Sequence, residues 1–499
     1  MGAARLPQHG FVLKEVKKMP VDKKKDLFYV HVIITVLFMF GFGFLPAPEP
    51  VTPVGMKMVG VFLGLIYGWT FSGLAWPSLL AFVALSAQGC VPMKELLVAG
   101  FANDTFLVLL FVSIFAATLE QEGVSKYLAN WCITRKILQG RPWLLLFGLL
   151  LASLLVSGFT NAMVAMLIVW SIFYNICRQI GVKPYEKFST LIVLGVSIAA
   201  ILGTCLFPFR TAVLVGIGAY QSLTGNTIDF LSSMLFLIPV ILVVLTAYLL
   251  ICRFVFRVDV TPLKTVNLDF LDAEDLVLTK RQKIVLAFLG IFIVLAVMPS
   301  VLPQEFILTQ VLKNITTVGI VMFLLVIMLW MKVDQKPLIQ FSVLAKGGIM
   351  WDIMIIFAIV LPLSSLLMGD NTGVKAFLVN GLQPLFSGVS PLIFMIIVLA
   401  IPTVLTNFAN NMVVGIIFLQ LICTLAGPLG VSAEPLVLSL MVCSNLAFLT
   451  PAASAPAAML FGNTEWIKPK DVYIMGGIAM LLLMVVAIAV SIVWGGILF

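Results

Sequence analysis

Two short polar clusters sit in the middle of apolar stretches. Ser157-Gly158-Phe159-Thr160-Asn161 lies within residues 142–176, and Thr406-Asn407-Phe408-Ala409-Asn410-Asn411 within residues 390–424. Hydroxyl and amide groups in apolar surroundings must find hydrogen-bond partners, because an unpaired one is costly there. Their oxygens suit a small cation such as Na⁺, and their N–H and O–H groups suit a carboxylate. Two further apolar runs, 188–220 and 435–462, are interrupted at Gly203-Thr204-Cys205-Leu206-Phe207-Pro208 and at Thr450-Pro451-Ala452-Ala453-Ser454-Ala455-Pro456. Where a helix unwinds, the new N-terminus offers free N–H groups and the positive end of the dipole to an anion. Freed carbonyls suit a cation. Arg210 follows the first interruption and is the one basic residue assigned to the membrane interior. A guanidinium there is expensive unless it faces a cavity, and it is read as a contact to a substrate carboxylate. The residues expected to hold an anion are therefore Ser157, Thr160, Asn161, Thr406, Asn407, Asn410 and Asn411 at the clusters. Thr204, Arg210, Thr450 and Ser454 join them from the interrupted runs. Asp104 and Asp352 head two spans and are read as helix N-caps.

The elements that must position these residues follow from composition. Of 499 residues, 62% are hydrophobic and 10% charged, with a mean hydropathy of +1.16. Such a chain has lipid, not water, as its solvent. Eleven apolar runs of spanning length are expected near 27–45, 54–72, 75–91, 104–120, 188–220, 228–252, 283–300, 316–331, 350–368, 435–462 and 472–498. The segments 142–176 and 390–424 are expected to be re-entrant hairpins of two half-helices. The fold class is thus an all-α polytopic membrane protein. Two His and seven scattered Cys leave no metal or disulfide framework. No signal-peptide cleavage site follows the first apolar run, which is read as a span.

Charge orients the spans. With the N-terminus cytoplasmic and both hairpins returning to their own side, 25 of the 30 Lys and Arg fall inside. Lys57, Lys94, Lys313 and Lys375 fall outside, and Arg210 lies between. The positive-inside rule expects such a split, and the basic N-terminus is an orientation signal, not a nucleic-acid arm. The C-terminus is then extracytoplasmic, and the cell membrane is the expected location.

The halves also resemble each other. Gly123-Val124 aligns with Gly373-Val374 at an offset of 250, and Phe159-Thr160-Asn161-Ala162-Met163-Val164 with Phe408-Ala409-Asn410-Asn411-Met412-Val413 at 249. Asp104 and Pro208 match Asp352 and Pro456 at 248. Since the charge count puts Gly123 inside and Gly373 outside, the repeat is inverted, which points to a transporter site at the midplane. The expected organisation is a basic segment 1–26, a first span and loop 27–53, a first repeat 54–256, a cytoplasmic linker 257–282 and a second repeat 283–499. The unwound loops are expected at 203–210 and 450–456.

From about residue 27 onward the chain resembles the divalent anion/sodium symporter family of the wider ion transporter superfamily. The most specific stretch is Ala447-Phe448-Leu449-Thr450-Pro451-Ala452-Ala453-Ser454-Ala455-Pro456-Ala457-Ala458-Met459-Leu460-Phe461-Gly462, and the tips Thr160-Asn161-Ala162 and Ala409-Asn410-Asn411 are similar to that family's paired Ser-Asn-Thr motifs. The resemblance implies an eleven-span inverted-repeat transporter, usually a homodimer, that moves its transport domain like an elevator. It implies di- and tricarboxylates such as succinate, malate and citrate, or sulfate, as substrates, usually with Na⁺ as coupling ion and no other cofactor. It also implies cation ligands at Asn161, Gly203, Asn410 and Ala452. Here the first motif lacks its final hydroxyl, the second its leading Ser, and the Pro-Asn after the second loop is Pro456-Ala457. These departures bear most on Na⁺. Na⁺-coupled symport of C4-dicarboxylates is expected, with Na⁺-independent exchange, in which Arg210 supplies the positive charge, as the alternative. Sulfate, citrate or arsenite are alternative cargoes. An intramembrane enzyme lacks its His or Ser–Lys groups, and a channel would not need closed hairpin sites.

Overall fold

The structure is a computed structural model, and it describes residues 21–266, 276–386 and 388–499. Most of the expected basic N-terminal segment and the middle of the expected linker lie outside the described residues. The first half runs through α1 (Val21–Gly41), α2 (Pro53–Phe71), α3 (Ala75–Ala87), α4 (Met93–Phe101), α5 (Asp104–Gln121) and α6 (Val124–Ile133). It continues with α7 (Pro142–Phe159), α8 (Ala162–Ile180), α9 (Lys187–Gly203), α10 (Thr211–Thr224) and α11 (Phe230–Leu250). The second half follows. It comprises α12 (Lys280–Val301), α13 (Ile307–Trp330), α14 (Phe341–Gly348), α15 (Trp351–Leu367) and α16 (Val374–Phe386). Then come α17 (Pro391–Leu405), α18 (Asn411–Leu425), α19 (Ala433–Ser444), α20 (Ala455–Gly462), the short α21 (Pro469–Asp471) and α22 (Gly477–Leu498), which a π-turn joins to α21. A two-residue-per-strand hairpin, Lys332–Val333 with Lys336–Pro337, follows α13.

The molecule is an all-α polytopic membrane protein. Among the described residues nine helices are long and apolar enough to cross a bilayer, or ten if the bent pair α14 and α15 is one span. The difference from the eleven expected runs has a physical cause. The runs 188–220 and 435–462 are each two helices, and α9, α19 and α3 are individually shorter than the ~20 residues a span needs. Conversely, α7 and α8 are 18 and 19 residues long, so each arm around Asn161 is of spanning length by itself.

The two interrupted runs are the most buried elements. Every residue from Phe188 to Gly203 in α9 is buried, as is every residue from Leu436 to Leu449 in and after α19. α7, α8, α11 and α20 surround α9; α10, α11, α17, α18 and α22 surround α19. Unwinding is tolerated in a membrane protein where backbone is shielded from lipid in this way. By contrast, 11% of the apolar window of α1 is buried, so this helix faces lipid.

Contacts that involve the connecting segments fall into two sets by composition. In one, the Glu122 carboxylate accepts two hydrogen bonds from the Arg281 guanidinium, at 2.7 and 2.8 Å. Arg281 Nη2 also donates to the Leu338 carbonyl at 2.7 Å. Arg253 lies over the Trp143 ring, Lys187 over the Phe256 ring, and Tyr185 N–H donates to the Trp466 carbonyl at 3.0 Å. The other group joins Thr52 to Thr372, Lys57 to Gln88, Tyr220 to Glu434 and Trp494 to Leu235. The first group contains the segments rich in Lys and Arg; the second contains the poor ones.

The corresponding corners of the halves share their backbone. Gly123 and Gly373, which precede α6 and α16, both take a positive φ, +72° and +69°. A side chain is strained there, which explains the matched glycines. Asp104 does not cap α5: Asn103 is the N-cap, its Oδ1 accepting the Thr105 N–H at 2.9 Å. Asp104 and Asp352 instead lie in the first turns of α5 and α15, where the helix dipole favours a carboxylate.

Candidate transport site

The two hairpin tips are built alike. The Asn161 side-chain oxygen accepts the Met163 N–H at 2.8 Å and caps α8; Asn410 does the same for Met412 at 3.0 Å and caps α18. An Asn at an N-cap satisfies one of the helix's free donors and leaves its amide N–H₂ for another partner. Thr160 ends α7; its hydroxyl donates to the Val156 carbonyl and accepts from Ser125 Oγ at 3.2 Å.

Beside each tip, hydroxyl and amide groups take over hydrogen bonds that the broken helices lose. α9 stops at Gly203, and Thr204 N–H turns to the Ile201 carbonyl, leaving the Ala200 carbonyl without its helical donor. Ser157 Oγ supplies one, at 2.5 Å. Thr204 Oγ1 donates to the Ile201 carbonyl at 2.7 Å. Gly203 allows the close approach: a Cβ there would stand 2.4 Å from the Leu154 carbonyl oxygen and 2.7 Å from Ser157 Cβ.

In the second half, Thr406 Oγ1 donates to the Ser444 carbonyl at 2.7 Å. Asn407 is fully used. Its Nδ2 donates to the Thr403 and Leu446 carbonyls, both at 2.9 Å, and its Oδ1 accepts the Phe448 and Leu449 N–H groups at 3.0 and 2.9 Å. Thr450 Oγ1 donates to the Asn407 carbonyl. Ser454 caps α20, accepting the Ala457 N–H while donating to the Ala447 carbonyl at 2.9 Å. The second interruption thus spans 445–454. Ala452 is exposed on it, and the Ala453 carbonyl accepts the Asn411 N–H at 3.2 Å.

Two cavities flank α10. The larger, about 320 Å³, is lined by Thr160 and Asn161 of the first tip, Arg210 and Thr211 at the start of α10, Ser113, Ala117, Glu120 and Gln121 of α5, and Leu344, Gly347, Gly348 and Met350 around α14. Arg210 Nε is buried with no hydrogen-bond partner. A buried, unpaired guanidinium N–H beside an asparagine amide and the N-terminus of α8 is a place for a carboxylate or another oxyanion. The smaller cavity, about 40 Å³, lies between α10, α18 and α19, and Asn411, Ser444 and Asn445 line it. Asn411 Nδ2 donates to Asn445 Oδ1 at 3.0 Å.

The structure therefore brings Thr160, Asn161 and Arg210 to one cavity and Asn411 to the other. Ser157, Thr204, Thr406, Asn407, Thr450 and Ser454 are bonded to the backbone around the two interruptions. Sequence reasoning did not single out Glu120, Gln121, Ser113 or the Gly347–Gly348 pair. It also passed over Asn445, although an amide inside the apolar run 435–462 was a usable signal.

A family model described as the sodium:sulfate symporter transmembrane region matches residues 26–499. The chain belongs to this family. The sodium-dependent dicarboxylate transporter SdcS of Staphylococcus saprophyticus is 25% identical over 442 residues, 83% of this chain and 82% of the relative. SdcS of Staphylococcus aureus is 24% identical over 433 residues, 83% and 81% of the two chains. The fold is shared with the YdaH transporter of Alcanivorax borkumensis, at a TM-score of 0.58 and 14% identity over 94% of this chain and 98% of that one. It is also shared with MtrF of Neisseria gonorrhoeae, an antimetabolite efflux pump, at 0.57 and 13% over 94% of each. As a member of the sodium:sulfate symporter family, the chain is a transporter and not an enzyme, and its cargo is a small anion.

Proposed function

We propose that this family member is a secondary active transporter of C4-dicarboxylates such as succinate or malate, coupled to Na⁺ and working by an elevator mechanism in the cell membrane. The observation that carries the reading is Arg210: its unpaired Nε and the Asn161 amide line one cavity at the N-terminus of α8. In this reading Thr160, Asn161, Arg210, Asn410 and Asn411 contact the dianion. Ser157, Thr204, Thr406, Asn407, Thr450 and Ser454 hold the half-helices in position. The dicarboxylate-transporting relatives support this cargo. Na⁺ travels as a co-substrate, taken by oxygens at Asn161, Gly203, Asn410 and Ala452. The names of the relatives support that coupling.

The contact groups described above support a sidedness in which the Lys- and Arg-rich group is cytoplasmic. That places the N-terminus inside, the C-terminus outside and the two halves in opposite orientations. The larger cavity then lies against the cytoplasmic ends of α5 and α14, at Glu120, Gln121 and Gly347. In an elevator this is the inward-facing position of the first tip. The resemblance to the family extends the reading to a homodimer.

The test is uptake of labelled succinate into proteoliposomes under an inward Na⁺ gradient, against the same vesicles in K⁺ salt. The proposal expects Na⁺-dependent, saturable uptake. Uptake that ignores Na⁺ but requires preloaded succinate establishes the exchanger reading, which Arg210's charge favours. No succinate uptake with uptake of sulfate, citrate or arsenite overturns the C4-dicarboxylate assignment.

A further inference from the structure

A cavity of about 510 Å³ lies between α8 and α20, away from the site described above. Leu167, Ser171, Tyr174 and Arg178 line it along one face of α8, spaced at helical intervals over about 16 Å. Met459 within α20 and Asn463 just past its end form the opposite wall. The face is graded in polarity. At one end Leu167 is 57% exposed with Met459 across from it; at the other, Arg178 is exposed and its Nη1 donates to Asn175 Oδ1 at 3.2 Å.

A rigid aromatic wall stands at the polar end. The Tyr174 and Trp466 rings stack at 4.1 Å with 5° between their planes, and Asn463 Nδ2 donates to the Tyr174 hydroxyl at 2.5 Å. Tyr185 extends this wall: its hydroxyl donates to the Thr464 carbonyl at 2.7 Å, and Lys468 lies over its ring at 5.2 Å. The segments 177–187 and 463–471 that frame the polar end carry Arg178, Lys183, Lys187, Lys468 and Lys470 against Glu186, Glu465 and Asp471, a surplus of two positive charges. Aromatic rings and cations at one end of a membrane groove, with aliphatic side chains at the other, match the polarity profile of a phospholipid.

We propose that this groove binds one anionic phospholipid of the basic-side leaflet. Its phosphate sits at Arg178 beside the Tyr174–Trp466 wall, and an acyl chain lies along Leu167 and Met459. The position gives the lipid leverage. α8 and α20 are the two helices whose N-terminal caps, Asn161 and Ser454, stand at the first tip and the second interruption. A lipid wedged between them sets their spacing. This consequence for transport rests on the function proposed above; the binding itself does not.

The test uses delipidated full-length protein in detergent. Tm is followed on titration with dioleoylphosphatidylglycerol, dioleoylphosphatidylcholine or inorganic phosphate. Phosphatidylglycerol is expected to raise Tm, and the other two are not. Arg178→Gln should need at least about tenfold more phosphatidylglycerol for the same shift, because a charge-assisted bond is lost. Leu167→Trp, which fills the apolar end and leaves the charge in place, should weaken the response as well, and it carries the test if Arg178→Gln does not fold. An equal response to phosphatidylcholine, protection by phosphate alone, or a full wild-type response in Arg178→Gln overturns the proposal. Uptake by Arg178→Gln at the wild-type rate, with the phosphatidylglycerol shift lost, removes the link to transport and leaves the binding site.

Discussion

At the scale of single residues, Asn407 and Arg210 represent two uses of a polar group in a membrane protein. Asn407 spends its whole hydrogen-bonding capacity on backbone freed by the second interruption. Asn407→Ala strands two N–H and two carbonyl groups, so a loss of about 3 kcal/mol is expected in denaturant unfolding of the detergent-solubilised protein. A loss below about 1 kcal/mol would mean that water replaces the amide. Asn161 combines a cap and a free amide, and the two roles separate by substitution. Asn161→Ser keeps a cap oxygen and so should keep Tm, while removing the amide N–H₂ should raise the KM for the dianion. An unchanged KM would assign Asn161 to capping alone. Both asparagines were visible in the sequence, because an amide in an apolar run draws attention. Their division of labour was not, since Asn407 meets Phe448 and Leu449 some 40 positions away in the chain.

Among the elements, the half-helices follow from where their neighbours stand. α9 and α19 are enclosed on all sides, and their broken ends are closed by hydroxyls reaching across from α7 and α17. Gly203 is the tightest of these crossings. Gly203→Ala places a methyl within 2.4 Å of the Leu154 carbonyl oxygen, so the hairpin must move away from the loop. A loss of about 1–3 kcal/mol is expected, read as a lowered Tm, together with reduced transport. A wild-type Tm would show that the hairpin yields freely. The first interruption was legible as Gly203 to Pro208, where small and helix-breaking residues cluster. The second extends back to Asn445, which sequence alone missed: Asn445 to Leu449 look apolar enough to stay helical. They unwind because Asn407 satisfies their backbone. The cap of α5 was misplaced for a simpler reason, as Asn103 stands next to Asp104 and both residue types cap well; at α15 the N-cap position falls on Met350 and no side chain caps the helix.

For the whole molecule, the sidedness proposed from the distribution of charge is open to a direct test. Segments assigned inside by their Lys and Arg contact one another through Glu122–Arg281, Lys187–Phe256 and Tyr185–Trp466. Exposed single cysteines test the assignment, since the seven native thiols are buried or half-buried. An impermeant maleimide added to right-side-out vesicles should label Lys94→Cys and Lys375→Cys, and not Lys136→Cys or Lys336→Cys. The reverse pattern would invert the topology. The proposed duplication rests on four short matches at nearly constant offset, and at one of them Gly123 and Gly373 share a positive φ. The cavity was not legible in the sequence, because residues such as Ser113, Glu120 and Gln121 of α5 and Gly347 and Gly348 of α14 come to the first tip only through packing. The central claim is that this cavity takes a dianion through Arg210. Concentration-dependent succinate uptake by Arg210→Gln, beside the wild-type protein at equal reconstituted amount, tests it most directly. The account predicts a KM raised at least about tenfold, or uptake abolished, in protein that retains its fold. Wild-type KM and rate in Arg210→Gln would contradict it.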